Sequence, residues 1–130
     1  SCNLHVLSDD KRIGVIDFQD AVRGPVTYDL ASWLWDRYVT WSRADIEHWM
    51  EQARQSYGAD IAPDVWRRSC DLMGLQRNLK IIGIFSRLTL RDGREGYAEL
   101  TPRFVEYVRD IFALYPELSP YRALIDEWLQ

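Results

Sequence analysis

The chain is short of the residues that would mark a disulfide scaffold, a zinc module or a membrane span. It carries two cysteines, Cys2 and Cys70, in 130 residues, which points to reduced thiols and not to a disulfide framework. Its two histidines, His5 and His48, lie far apart, and no Cys/His cluster has zinc-ligand spacing. No apolar run approaches the ~18 residues of a membrane span, and nothing resembles a secretory signal, so the expected location is the cytoplasm with no membrane partner. Positive charge is in the minority, with 16 Lys and Arg against 20 Asp and Glu and a net charge of −4. That argues against a nucleic-acid partner, whose affinity comes mainly from a basic surface. A local group of Arg and Lys can still hold a small anion within an acidic protein.

Apolar residues make up 47% of the chain, enough for one compact domain; at this length folding buries roughly 70% of the surface. Six tryptophans and seven tyrosines are unusual. The set Trp33, Trp35, Tyr38, Trp41 and Trp49 recurs at helical spacing and is expected to pack, although a sugar platform uses the same chemistry.

The chain starts as a hairpin. Leu4–Leu7 and Ile13–Phe18 are short apolar runs separated by the polar residues 8–12. A domain seldom opens inside β-structure, so the chain is expected to be cut from a longer one. From Thr27 the period lengthens: Leu30, Ala31, Leu34, Tyr38 and Trp41 share one helical face, with Trp33 and Trp35 on its flanks, Thr27 as N-cap and Asp29 in the first turn. Ser42-Arg43-Ala44-Asp45 reads as a capping box for a second helix, which stops at Gly58. Pro63 opens a long third helix running to about Leu90. Its apolar residues cover most of the circumference, so it is expected to be central, with Gly74 and Gly83 marking close helix crossings. Thr101-Pro102 and Ser119-Pro120 open two more helices. The reading is a mainly α fold: a β-hairpin and then five helices, without repeats or an internal linker.

Chemistry concentrates in residues 13–31. The apolar run Ile13–Ile16 ends in Asp17, and after Gly24-Pro25 a second carboxylate, Asp29, opens a helix. A strand delivering an Asp at its end is a common way to hold a hard cation against a phosphate; an ordinary turn aspartate is the plain alternative. Asn3 precedes the first strand, so an antiparallel hairpin brings it to the same end as Asp17. One amide oxygen and one carboxylate make a reasonable Mg²⁺ site beside phosphates.

Ser1 to Leu7, Ile13-Gly-Val-Ile-Asp-Phe-Gln-Asp-Ala21 and Gly24-Pro-Val-Thr-Tyr-Asp-Leu-Ala31 together resemble the aminoglycoside phosphotransferase branch of the protein-kinase superfamily. That branch carries H-x-D-x-x-x-x-N, an Ile-Asp-[Phe/Trp] strand end and G-P or D-P-x-x-D-[Leu/Ile]-A in this order. Within it the wording is most similar to bacterial kinases acting on the anomeric hydroxyl of N-acetylmuramate and N-acetylglucosamine. Met73–Lys80, Gly83–Leu88 and the loop from Arg91-Asp92-Gly93 to Gly96-Tyr97 carry the same similarity, which spans roughly Ser1 to Pro102.

The resemblance implies the carboxy-terminal, substrate-binding lobe of a kinase-like fold over residues 1–130, acting with ATP and Mg²⁺ on a small sugar substrate. Asn3 and Asp17 would bind the metal, and Asp29 would order the catalytic loop by accepting backbone hydrogen bonds. The catalytic base would be an Asp five positions before Asn3, three residues upstream of Ser1. It and the nucleotide lobe would stand outside this chain, which alone is expected to be inactive. Gln19 and Asp20 could reach substrate, although Asp20 serves equally as a turn cap. Arg77, Lys80, Arg87 and Arg91 fall within an arc of about 80° on the long helix. They would meet a lactyl carboxylate or a product phosphate, or form a solvated face; Gln76, Arg77 and Lys80 are the favoured substrate contacts. Aminoglycosides and choline or homoserine-like alcohols remain alternative acceptors. A non-catalytic helical interaction domain descended from a kinase lobe is the alternative of another class.

Overall fold

The computed structural model describes residues 4–7, 12–16, 19 and 21–128. Two short strands, β1 (Leu4–Val6) and β2 (Ile13–Val15), are followed by α1 (Tyr28–Leu34), α2 (Arg43–Tyr57), α3 (Pro63–Leu90), α4 (Thr101–Leu114) and α5 (Ser119–Trp128). Single 3₁₀ turns at Ala98–Leu100 and Pro116–Leu118 precede α4 and α5. The mainly α architecture expected from the hydrophobic period is therefore present, with β1 one residue and β2 three residues shorter than the apolar runs suggest.

β1 and β2 pair antiparallel, Leu4 with Val15, His5 with Gly14 and Val6 with Ile13, and the Leu7 N–H donates to the Arg12 carbonyl (2.8 Å). Three apolar side chains of the hairpin, Val6, Ile13 and Val15, lie in solvent, beside the exposed His5.

The core is helical. α3 packs against α1, α2 and α4, and α5 reaches α4. The buried side of α3 runs through Trp66, Cys70, Gly74, Leu75, Ile82 and Phe85 and meets Leu30, Ala31 and Leu34 of α1, Ile46 and Met50 of α2, and Phe104, Val108 and Ile111 of α4 in one cluster. The long helix is central, but it is not buried all round. Leu79 and Leu90 are exposed, the latter by 86%.

Two glycines earn their place by contact. A Cβ on Gly74 would stand 2.7 Å from the Trp35 ring, and one on Gly58 would stand 2.6 Å from the Trp66 ring. Gly83 differs from the expectation of a close crossing, because a Cβ there would meet nothing within 4 Å. These spaces predict opposite outcomes in thermal denaturation. Gly74→Ala overpacks the α1–α3 contact and lowers stability by about 1–3 kcal/mol, whereas Gly83→Ala removes a helix-interior glycine and raises it by about 0.5–1 kcal/mol. A Gly74→Ala midpoint at or above the parent's contradicts the Trp35 contact.

Two local expectations are corrected. α1 ends at Leu34, where the Trp35 N–H donates to the Ala31 carbonyl (3.1 Å), and the Asp36 carboxylate then accepts the backbone N–H groups of Arg37 and Tyr38. This local carboxylate–backbone turn competes with the helix and carries Tyr38 off the expected face into solvent. Thr27 supplies only its carbonyl to Ala31 (2.9 Å), and its side chain makes no cap hydrogen bond. The capping box at α2 is complete: the Asp45 N–H donates to Ser42 Oγ (3.1 Å) and the Ser42 N–H donates to Asp45 (3.3 Å).

Candidate functional site

Asn3, Asp17 and Asp20 lie outside the described residues. The described strands do set the frame, since the pairing of Leu4 with Val15 closes the hairpin at the end toward which positions 3 and 17 lie in sequence. Gln19 sits exposed in a turn. From there an extended stretch of exposed residues 21–26 leads to α1, where the Tyr28 N–H donates to the Pro25 carbonyl (3.0 Å). Asp29 stands in the first turn of α1 and is exposed. A carboxylate there is favoured by the helix N-terminus, and among the described residues it makes no hydrogen bond or ion pair. After burial and Cys70, it contributes to holding the Tyr57 phenol above its ordinary pKa.

The favoured α3 residues divide. Gln76 and Lys80 are exposed on the outer side of α3, and Arg77 is half-buried with its Nε covered and unpartnered among the described residues. The next residue, Asn78, is fully buried and both of its amide atoms lack a partner there too. Of the remaining stripe, Arg87 is exposed and Arg91 pairs with its neighbour Asp92 (2.8 Å). Asp29 touches none of these cations.

A cleft of about 370 Å³ opens between the α1–α2 connection and the loop after α3, lined by Arg37, Tyr38, Glu95, Gly96, Tyr97 and Leu100. Both walls are pinned. On one, Arg103 donates to the Arg37 carbonyl and the Arg37 guanidinium lies 4.7 Å from the Tyr38 ring centroid. On the other, the Arg94 N–H reaches the Leu88 carbonyl (2.9 Å), Gly96 adopts φ +84°, and the Tyr97 ring packs on Phe85 (5.1 Å) while its carbonyl accepts from Thr101 Oγ1 (3.1 Å). A positive φ of this size favours glycine.

Behind these surfaces is a buried charge network that the sequence reading missed. Asp71 on α3 is fully buried. It accepts from both terminal nitrogens of Arg43 (2.6 and 3.0 Å) and from the Tyr115 hydroxyl (2.6 Å), so one carboxylate ties α2, α3 and the end of α4. Arg43 also holds Glu47 (2.8 Å). Burial opposes the Arg43 charge, but the hydrogen bonds and charges of Asp71 and Glu47 outweigh it and hold the guanidinium protonated more firmly than usual. Burial, then the bond to Asp71, pushes the Tyr115 phenol up. Beside them burial, reinforced by Asp71, pushes the Cys70 thiol up to about 12, which leaves it an inert packing residue. The available signal was the carboxylate itself, standing on a helix face whose neighbours Cys70, Gly74 and Leu75 are core.

The tryptophans of the aromatic set pack, as expected, whereas Tyr38 is exposed. Trp35 is buried, and Trp33 stacks with Trp41 (5.4 Å) and Trp49 (5.3 Å) at the α1–α2 edge. Among the described residues no three His, Cys, Asp or Glu side chains gather as a metal site, and no helix is long and apolar enough to cross a membrane.

Residues 2–70 match the family model described as the phosphotransferase enzyme family. An N-acetylmuramate/N-acetylglucosamine kinase of Pseudomonas putida is 43% identical over 119 residues, covering 88% of this chain and 35% of that protein. Kinases of the same name from Neisseria meningitidis serogroup B and Pseudomonas aeruginosa are each 40% identical, over 121 and 118 residues, which is 89% and 86% of this chain and 36% and 35% of theirs. The chain thus spans about a third of the length of the curated relatives it matches.

Proposed function

The chain belongs to the phosphotransferase enzyme family, and we propose that it is the helical, substrate-binding lobe of an ATP- and Mg²⁺-dependent cytoplasmic kinase. Its acceptor is an amino sugar, N-acetylmuramate or N-acetylglucosamine, phosphorylated at the anomeric hydroxyl. The observation that carries this reading is the 40–43% identity to three kinases of that name, sustained over 118 to 121 residues. The exposed apolar side chains of the hairpin provide a surface for a nucleotide lobe to cover, in keeping with relatives about three times as long.

Phosphoryl transfer asks a protein mainly for positioning and charge neutralisation. The side-chain oxygens of Asn3 and Asp17 are the hard donors that suit Mg²⁺. Held by these two residues, Mg²⁺ would supply charge neutralisation for the phosphates during transfer. Asp29, exposed and unpartnered among the described residues, accepts backbone N–H groups of the catalytic loop and holds it in place. The base that takes the sugar's proton is the Asp five positions before Asn3. Gln19, Asp20, Gln76, Arg77 and Lys80 are the substrate contacts in this reading.

The test is an acceptor panel on the full-length protein with Mg²⁺-ATP, followed by phosphorus NMR. The expected product is a sugar 1-phosphate from N-acetylmuramate and N-acetylglucosamine. Transfer only to an aminoglycoside, choline or a homoserine-like alcohol overturns the assignment.

A further inference from the structure

The geometry points to the cleft between the α1–α2 connection and the loop after α3 as the subsite for an acidic arm of the acceptor, with Arg37 taking its carboxylate. This rests on the proposed sugar-kinase function and extends it to specificity. The two acceptors differ chemically by one group: N-acetylmuramate carries a lactyl ether ending in a carboxylate, and N-acetylglucosamine has a hydroxyl in its place.

Three features of the cleft suit that difference. Its volume, about 370 Å³, falls in the range of small-ligand sites, roughly 300–1,000 Å³. Its two charged groups, Arg37 and Glu95, line one space, yet among the described residues neither is engaged in an ion pair. The Arg37 guanidinium lies over the Tyr38 ring and makes no side-chain hydrogen bond among the described residues, so its N–H groups can take a carboxylate in bidentate fashion. Glu95 can then accept from a sugar hydroxyl or amide N–H, and the Tyr38 and Tyr97 rings offer faces for a pyranose.

The walls hold this arrangement before any ligand arrives. The Asp36 turn and the Arg103 bond to the Arg37 carbonyl set the direction of the Arg37 backbone. Gly96 and the Tyr97–Phe85 contact set the opposite side. Such preorganisation lowers the ordering cost of binding. Position also fits: α1 ends at Leu34, three residues before Arg37, so the cleft lies beyond the far end of the helix whose first turn carries Asp29.

The α3 residues Arg77 and Lys80 are the competing candidates for the same carboxylate. The experiment compares kcat/KM for the acidic and the neutral sugar in full-length wild type, Arg37→Met, Glu95→Gln and Arg77→Met. Arg37→Met is expected to reduce the ratio of acidic to neutral sugar by about tenfold, through KM and not kcat, the lower end of a charge-assisted hydrogen bond because the group is exposed. Glu95→Gln weakens both sugars and leaves the ratio near the wild-type value. An unchanged ratio in Arg37→Met, or a collapse of the ratio in Arg77→Met instead, overturns the cleft assignment. Calorimetric titration of each sugar without nucleotide reads the same ratio as affinities. Turnover of neither sugar by wild type overturns the proposed function, while equal affinity of wild type and Arg37→Met for the acidic sugar overturns the subsite.

Discussion

In the kinase proposed above, replacing Asp17 with alanine in the full-length protein is expected to lower turnover with Mg²⁺-ATP by at least about a thousandfold and to leave the tryptophan emission and thermal transition where they were. A thousandfold corresponds to about 4 kcal/mol of barrier, which is within the several kcal/mol that a metal's charge stabilisation supplies. The protein has little else to offer a loose phosphoryl-transfer transition state than the placement of that charge. Asn3→Ala, which removes the proposed neutral ligand, is expected to lose less. Steady-state assays over a range of Mg²⁺ concentrations check the role: the Asn3 variant recovers part of its activity at high Mg²⁺, and the Asp17 variant does not. Substantial activity in Asp17→Ala at ordinary Mg²⁺ would remove this residue from the metal site.

The largest expected stability loss comes from Asp71. Asp71→Ala leaves the Arg43 guanidinium with two lost hydrogen bonds and the Tyr115 hydroxyl with one, in a place closed to compensating solvent at the carboxylate. Breaking one partner of a buried pair costs about 3–5 kcal/mol, and the loss here falls at the low end of that range because Arg43 is a third exposed and keeps Glu47. The double variant Asp71→Leu with Arg43→Met removes more polar contacts yet loses less, because no guanidinium remains that has lost its buried partner. Urea denaturation followed by tryptophan emission separates these cases. A double variant as weak as Asp71→Ala would show that the network's value lies in its hydrogen bonds and not in charge compensation.

Helix existence was legible because the local signals agree with one another. Pro63, the Ser42–Asp45 box and Thr101-Pro102 mark starts, and the structure begins α2, α3 and α4 there. What failed was local competition and three-dimensional pairing. The Asp36 carboxylate captures two backbone N–H groups and stops α1 short of Tyr38, an outcome that periodicity alone does not register. Gly74 and Gly83 look alike in sequence, and only the placement of Trp35 separates them. The Asp71 network joins positions 28 and 44 residues apart, and such partners cannot be chosen before the helices are docked. The candidate site divides in the same way. Asn3, Asp17 and Asp29 stand out through motif order, whereas the Arg37–Glu95 cleft exists only once two connections meet.

The central position of α3 bears on how this unit melts. Because α1, α2 and α4 all dock on it, the loss of any one strips apolar cover from the surface the others share, so they come apart together. α5, which among the described residues reaches only α4 and its preceding turn, can fray alone. Amide hydrogens along the buried side of α3 therefore exchange only through global opening, while those of α5 exchange through a smaller, local one.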